Sequence, residues 1–162
     1  ERLRLTLDVV AAVDFDAAVL NRNGILESLD RARRWQARRG DVYGLLVVAF
    51  AAPLPSRDVA LVRLVAATLA AGLRDVDEIG RIDDSTFGAV LGDIAPGSVD
   101  VVCQRIVGIL ATLTASEPAV GGPCRIAGLE VMNTGPSSGD VLETAVRLAA
   151  DASPGGYLID GM

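Results

Sequence analysis

Charged residues crowd one short stretch of this chain, Arg74-Asp75-Val76-Asp77-Glu78-Ile79-Gly80-Arg81-Ile82-Asp83-Asp84. An arginine presents a planar fork suited to a phosphate or a guanine edge, and an aspartate nearby can accept from ring N–H donors. Arg74 with Asp77 therefore forms a candidate ligand site, and Arg81 or Arg105 could add a second arginine to it. The spacing alone carries little weight, because Arg-x-x-Asp occurs three times, at Arg38/Asp41, Arg74/Asp77 and Arg81/Asp84. A helix-end arginine that offsets the macrodipole and pairs with a neighbouring carboxylate is the competing reading. Arg81 and Arg105 are equally at home as solvated residues.

Other chemistries are closed off. The chain contains no histidine, which removes Ser/His/Asp and Cys/His nucleophilic schemes and the commonest metal ligand. Cys103 and Cys124 are too few for a disulfide framework or a zinc site, and their apolar surroundings suit buried free thiols in a reducing cytoplasm. The loops Gly121-Gly122-Pro123 and Gly135-Pro136-Ser137-Ser138-Gly139 lack the Gly-Lys-Ser/Thr ending of a phosphate-binding loop and read as connections. All 15 basic residues are arginine, and the net charge of −6 is spread without a block of one sign. Neither nucleic acid nor an anionic membrane is an expected partner. The arginines at 31, 33, 34, 38 and 39 lie beside Glu27, Asp30 and Asp41 and read as a solvated helix face. Trp35, among them, reads as an anchor for that helix whose exposed part could mark an interface. No apolar run approaches the roughly 18 residues of a membrane span, and no signal peptide opens the chain. The abrupt start suggests a piece of a longer protein, with 1–13 as a linker or helix from an upstream region and 14–162 as one domain.

These residues need a scaffold, and periodicity supplies one. Ile25, Leu26, Leu29, Ala32 and Trp35 recur at helical spacing over Asn23 to Arg39, with Gly40 as the stop. Val42 to Phe50 is an almost unbroken apolar run, the pattern of a strand covered on both faces, and is expected to be the central strand. Ser56-Arg57-Asp58 opens a helix carried by Val59, Val62, Val65, Ala66 and Leu69 to Gly72. Glu78 to Ile82 and Thr86 to Leu91 flank Asp83-Asp84-Ser85 and read as a hairpin. A helix from Ser98, taken as its cap, to about Leu113 follows, then a strand at Cys124 to Met132, a helix from Asp140 to Ala150 and a strand at Tyr157 to Asp160. This order predicts an α/β domain, an α+β sandwich in which helices flank a mixed central sheet with a central hairpin.

Asp14, Asn21-Arg22 and the run from Arg74 to Leu91 together resemble GGDEF domains, the diguanylate cyclase family. The resemblance implies a nucleotidyl-cyclase-like fold. It places Ala17-Ala18-Val19 in the family's opening motif and Asp83-Asp84-Ser85-Thr86-Phe87 on its signature, where only Phe87 matches. The family joins two GTP molecules into cyclic di-GMP, using glycines that let backbone approach phosphate and acidic residues that hold metal ions. Asp83 and Asp84 put side chains and negative charge where the triphosphate would lie. Ser85 and Thr86 are poor ligands for a hard cation. The family's other metal-holding aspartate falls at Ala49, with Ala51 beyond it, and its guanine-reading segment falls on a shorter Ala52-Pro53-Leu54-Pro55-Ser56. A family phosphate-contacting lysine has no counterpart.

The resemblance thus implies a degenerate domain with no catalytic residues, no metal and no cofactor, acting as a cytoplasmic regulatory module. In active relatives Arg-x-x-Asp before the hairpin is an inhibitory product site, so Arg74 and Asp77, with Arg81 and Arg105, are the expected cyclic di-GMP ligands. Two alternatives stand beside this. One is an interaction or dimerisation scaffold that engages an upstream domain or a second copy of itself. The other is residual GTP binding or hydrolysis.

Overall fold

The computed structural model describes residues 13–14, 19–55 and 58–162. Helix α1, Arg22–Arg39, starts where the Asn21 side chain accepts the Gly24 amide at 3.0 Å. It stops at Gly40, whose φ of 72° suits a residue without Cβ. Strand β3 is Val42–Ala49 and helix α2 is Val59–Ala71, its first turn closed by the Asp58 carboxylate on the Leu61 amide. The hairpin strands are β4, Glu78–Asp83, and β5, Thr86–Ile94. Helix α3, Ser98–Ser116, leads through a short 3-10 turn to strand β6, Arg125–Val131. Helix α4, Ser138–Asp151, capped by Ser137, and strand β7, Tyr157–Gly161, complete the chain.

Two short strands precede α1: β1, Val13–Asp14, and β2, Val19–Leu20. Two residues each give no readable period, and sequence patterning missed both. The sheet has seven strands in the order β1-β2-β4-β5-β3-β6-β7. Only β2 with β4 and β6 with β7 run parallel, so the sheet is mixed as the element order predicts.

Alternation on β3 explains its unbroken apolar run. Leu46 and Val48 enter one core with α2 and α3, while Tyr43, Leu45 and Val47 enter a second core with α1 and α4. A strand buried on both faces has no polar side to show. Three layers result, with a helix pair on each face of the sheet. Gly80 and Gly128 let those helices come close: a Cβ on Gly80 would sit 2.3 Å from Ile25 Cγ1, and one on Gly128 2.4 Å from Val99 Cγ1.

Several boundaries differ from expectation for physical reasons. Ser98 is the first helical residue and not the cap; Gly97 takes that place at φ 86°, its amide held by the Glu130 carboxylate at 2.7 Å. Helix α3 runs on past Leu113 until Pro118 makes continuation impossible. Strand β5 extends to Ile94 because it still pairs with Val42 there. Trp35 anchors nothing in the core, with 52% of its surface exposed. Among the described residues α3 is long and apolar enough by length and composition to cross a membrane, a run the hydropathy reading passed over. Its inward stripe of Val99, Cys103, Ile106, Leu110 and Leu113 is packed in the core. Residues 1–12 of the expected 1–13 linker, residues 17 and 18 of the opening motif, and residues 56–57 of the expected helix start lie outside the described residues.

Candidate functional site

Arg74 follows α2 in the turn that leads into β4, and Asp77 closes that turn. The Asp77 carboxylate accepts the Arg74 amide at 2.8 Å through Oδ2, and the Arg74 guanidinium through Oδ1 at 2.8 Å. Arg74 Nη2 also donates to the Gly92 carbonyl on β5 at 2.7 Å. The Asp77 side chain is 2% exposed and that of Arg74 47%. Asp77 is therefore committed to holding the turn, whereas Arg74 keeps an open flank.

Arg105 on α3 reaches the same place. Its Nη1 donates to the Gly72 carbonyl at the end of α2 at 3.0 Å, where a cation meets the negative end of that helix. Arg74, Asp77 and Arg105 line one groove of about 280 Å³, floored by Leu91 and Ile94 and edged by Asp93. Asp93 has φ 49°, the left-handed region that a non-glycine residue seldom occupies. Neither Asp93 nor the Gly92 carbonyl was foreseen, since backbone groups and φ values leave no mark on composition.

Arg81 does not join them. It sits on β4 with 8% of its side chain exposed, its guanidinium 4.0 Å from Asp14 and 3.9 Å from Asp84. Its own groove, of about 380 Å³, is lined by Asp14, Asn21, Arg22 and Asp83. Of the four sequence-predicted ligand residues, three converge and Arg81 stands apart, buried rather than solvated.

The hairpin turn is closed on itself. Asp83 Oδ1 accepts both the amide and the hydroxyl of Ser85, at 2.9 and 3.2 Å, an arrangement that shapes the turn locally. Thr86 is 6% exposed and pairs with Ala49 on β3. The loop after β3 folds onto this turn: Phe50 donates its amide to the Ser85 carbonyl at 2.8 Å, and Leu54 to the Asp84 carbonyl at 3.0 Å. Phe50 and Leu54 are 5% and 2% exposed, and the Phe50 ring meets Phe87 edge-on at 6.0 Å. Pro53 and Pro55, which bracket Leu54, restrict the backbone of this loop.

A metal ion of the kind active members of the resembled family hold does not fit these residues. Ala49 and Ala51 offer no donor, Thr86 is buried in strand pairing, and Asp83 is turned onto Ser85. Among the described residues no three carboxylates or thiols converge as a metal set. The thiols are buried: burial, with a smaller push from Asp100, raises Cys103 to about 12, and burial raises Cys124 to about 11.

A mixed sheet with an internal hairpin and two helices on each face defines the fold class. No family model matches the chain, and no curated protein matches it. Solved structures do. The diguanylate cyclase SiaD of Pseudomonas aeruginosa, in complex with its activator SiaC, superposes with a TM-score of 0.75 at 16% identity, over 98% of this chain and 66% of SiaD. The coiled coil and GGDEF domain of DgcB from Caulobacter crescentus, in complex with c-di-GMP, gives 0.74 at 17% identity over 98% and 92%. The GGDEF domain of FimX from Pseudomonas aeruginosa gives 0.73 at 16% identity over 92% and 99%. The chain has the fold of GGDEF domains, as the residues around its hairpin led one to expect.

Proposed function

We propose that this domain is a catalytically inactive, cytoplasmic regulatory module built on the GGDEF fold. The observation that carries this is the tie between the loop after β3 and the hairpin turn. Phe50 and Leu54 seal this loop onto the turn with buried side chains and engaged amides, and the positions the family resemblance gives to a cation are Ala49 and Ala51, which offer no donor. Asp83 and Asp84 add charge of the wrong sign for a triphosphate. Incubating the domain with GTP and magnesium is expected to leave GTP intact and to give no cyclic di-GMP; appearance of the product would overturn this reading.

A finer reading is favoured by the meeting of Arg74, Asp77 and Arg105 in one groove: cyclic di-GMP as the regulating ligand. Two guanidinium groups supply forks for phosphate or guanine, while Asp77 can take a guanine edge only by giving up Arg74. Among the similar structures, DgcB is in complex with c-di-GMP. Calorimetry with cyclic di-GMP should give heat that Arg74→Ala and Arg105→Ala each abolish. No heat from the parent domain sinks the receptor and leaves a scaffold, whose self-association light scattering would reveal.

A further inference from the structure

We propose that the exposed face of α1 around Trp35 is a docking site for an acidic protein segment carrying an apolar anchor. The inference deepens the regulatory reading by naming a surface and the chemistry of its partner. Trp35 is the chain's only tryptophan and is 52% exposed, with the Arg39 guanidinium stacked 4.5 Å from its ring centroid. Stacking holds a large apolar ring in one orientation on the surface, which lowers the ordering cost of using it as an anchor.

Two grooves meet at this ring. One, of about 220 Å³, is lined by Arg31, Arg34, Trp35 and Arg38. The other, of about 310 Å³, runs from Trp35 over Val42 to Val76, which is 71% exposed. Arg31 is paired with Glu78 at 2.8 Å, but among the described residues Arg34 and Arg38 have no ion pair. The solvated face expected from sequence is thus an exposed cluster of arginines, with Arg34, Arg38 and Arg39 gathered around Trp35, on a protein of net charge −6. Charge complementarity calls for an acidic partner. Asp41 and Asp93 line the larger groove and would repel a continuous polyanion. Spaced carboxylates around an apolar side chain match this alternation; a phosphate polymer does not.

The test uses Trp35 as its own reporter. The domain is titrated at low ionic strength with a Glu-rich, tryptophan-free peptide carrying a Leu-Phe-Leu centre, and in parallel with a Glu/Ser peptide and with polyphosphate. The Leu-Phe-Leu peptide should give a saturable blue shift, weakened roughly tenfold or more by Arg34→Glu with Arg38→Glu. Arg105→Ala, which lies in the other groove, should leave it within about twofold. Trp35→Ala, followed through a labelled peptide, should weaken it as well. No saturable shift, indifference to the charge reversals, or equal binding of the Glu/Ser peptide or polyphosphate would overturn the proposal. Loss of cyclic di-GMP binding in the calorimetry above would not touch it, so the two readings fail separately.

Discussion

The amide of Leu54 donates to the carbonyl oxygen of Asp84 at 3.0 Å, joining the loop after β3 to the tip of the hairpin. This bond uses backbone atoms alone and needs no side chain of the turn as donor or acceptor. Restoring a family-like signature with Asp83→Gly, Asp84→Gly, Ser85→Asp and Thr86→Glu should therefore yield no cyclic di-GMP from GTP and magnesium. Ala49 and Ala51 would still offer no ligand, and the loop after β3 would still be tied to the turn through the Leu54 amide. Mass spectrometry of the reaction checks this, and any product would show the loop to be less decisive than its hydrogen bonds suggest.

Asp77 is the structural half of the Arg74 pair. Asp77→Ala leaves the Arg74 amide without its acceptor and should cost about 1–2 kcal/mol. Asp77→Asn should recover part of this, because an amide oxygen still accepts from that N–H. Urea denaturation of the three proteins gives the order; an Asn variant no better than Ala would mean that charge alone mattered.

Glycine positions should divide sharply by what surrounds them. Gly80→Ala drives a methyl into Ile25 Cγ1 and Cδ1 and should cost about 1–3 kcal/mol, a cost smaller when measured in an Ile25→Ala background that lacks both atoms. Gly108 lies mid-helix in α3, and nothing comes within 4 Å of the place a methyl would take there, so Gly108→Ala should stabilise by about 0.5–1 kcal/mol. Denaturation midpoints decide both.

Burial raises both thiols, Cys103 to about 12 and Cys124 to about 11, from an ordinary 9.0. Between the unfolded and folded values the native state holds more protons, so stability is fully present below pH 9 and falls as pH rises above it. Tyr43, raised by burial, acts in the same direction. The urea midpoint should drop between about pH 9 and 11, less steeply in a Cys103→Ala, Cys124→Ala variant. At pH 8 neither thiol should react with an aromatic disulfide reagent until urea is added.

Much of the scaffold could be read because long elements repeat their pattern. The apolar run of β3, the spacing along α1 and the turn residues between β4 and β5 each state their own structure. What stayed hidden was set by tertiary pairing: β1 and β2 are too short for a period, and β5 continues past Leu91 only because β3 lies beside it. The candidate site divided in the same way. Arg74, Asp77 and Arg105 could be picked out as chemically apt, yet nothing in the spacing tells that Arg81 belongs with Asp14, nor that Gly92 lends a carbonyl. Charge patterning near α1 did read correctly as a solvated face, with Arg31, Arg34, Arg38 and Arg39 exposed, but it gave no sign that Arg31 pairs with Glu78 on β4.

The seating of Ile25 against Gly80 has a mechanical consequence. Ile25 is fully buried and occupies the space a side chain on β4 would take, as a peg occupies a socket. Packed contacts of this kind resist sliding, because a small translation drives the side chain into the neighbouring strand backbone. A push on α1 is therefore passed to β4 as a rigid displacement, and β4 runs from the Arg74 turn to the tip tied by Leu54. The two ends of the hairpin are coupled to one helix, like both ends of a lever fixed to a single shaft.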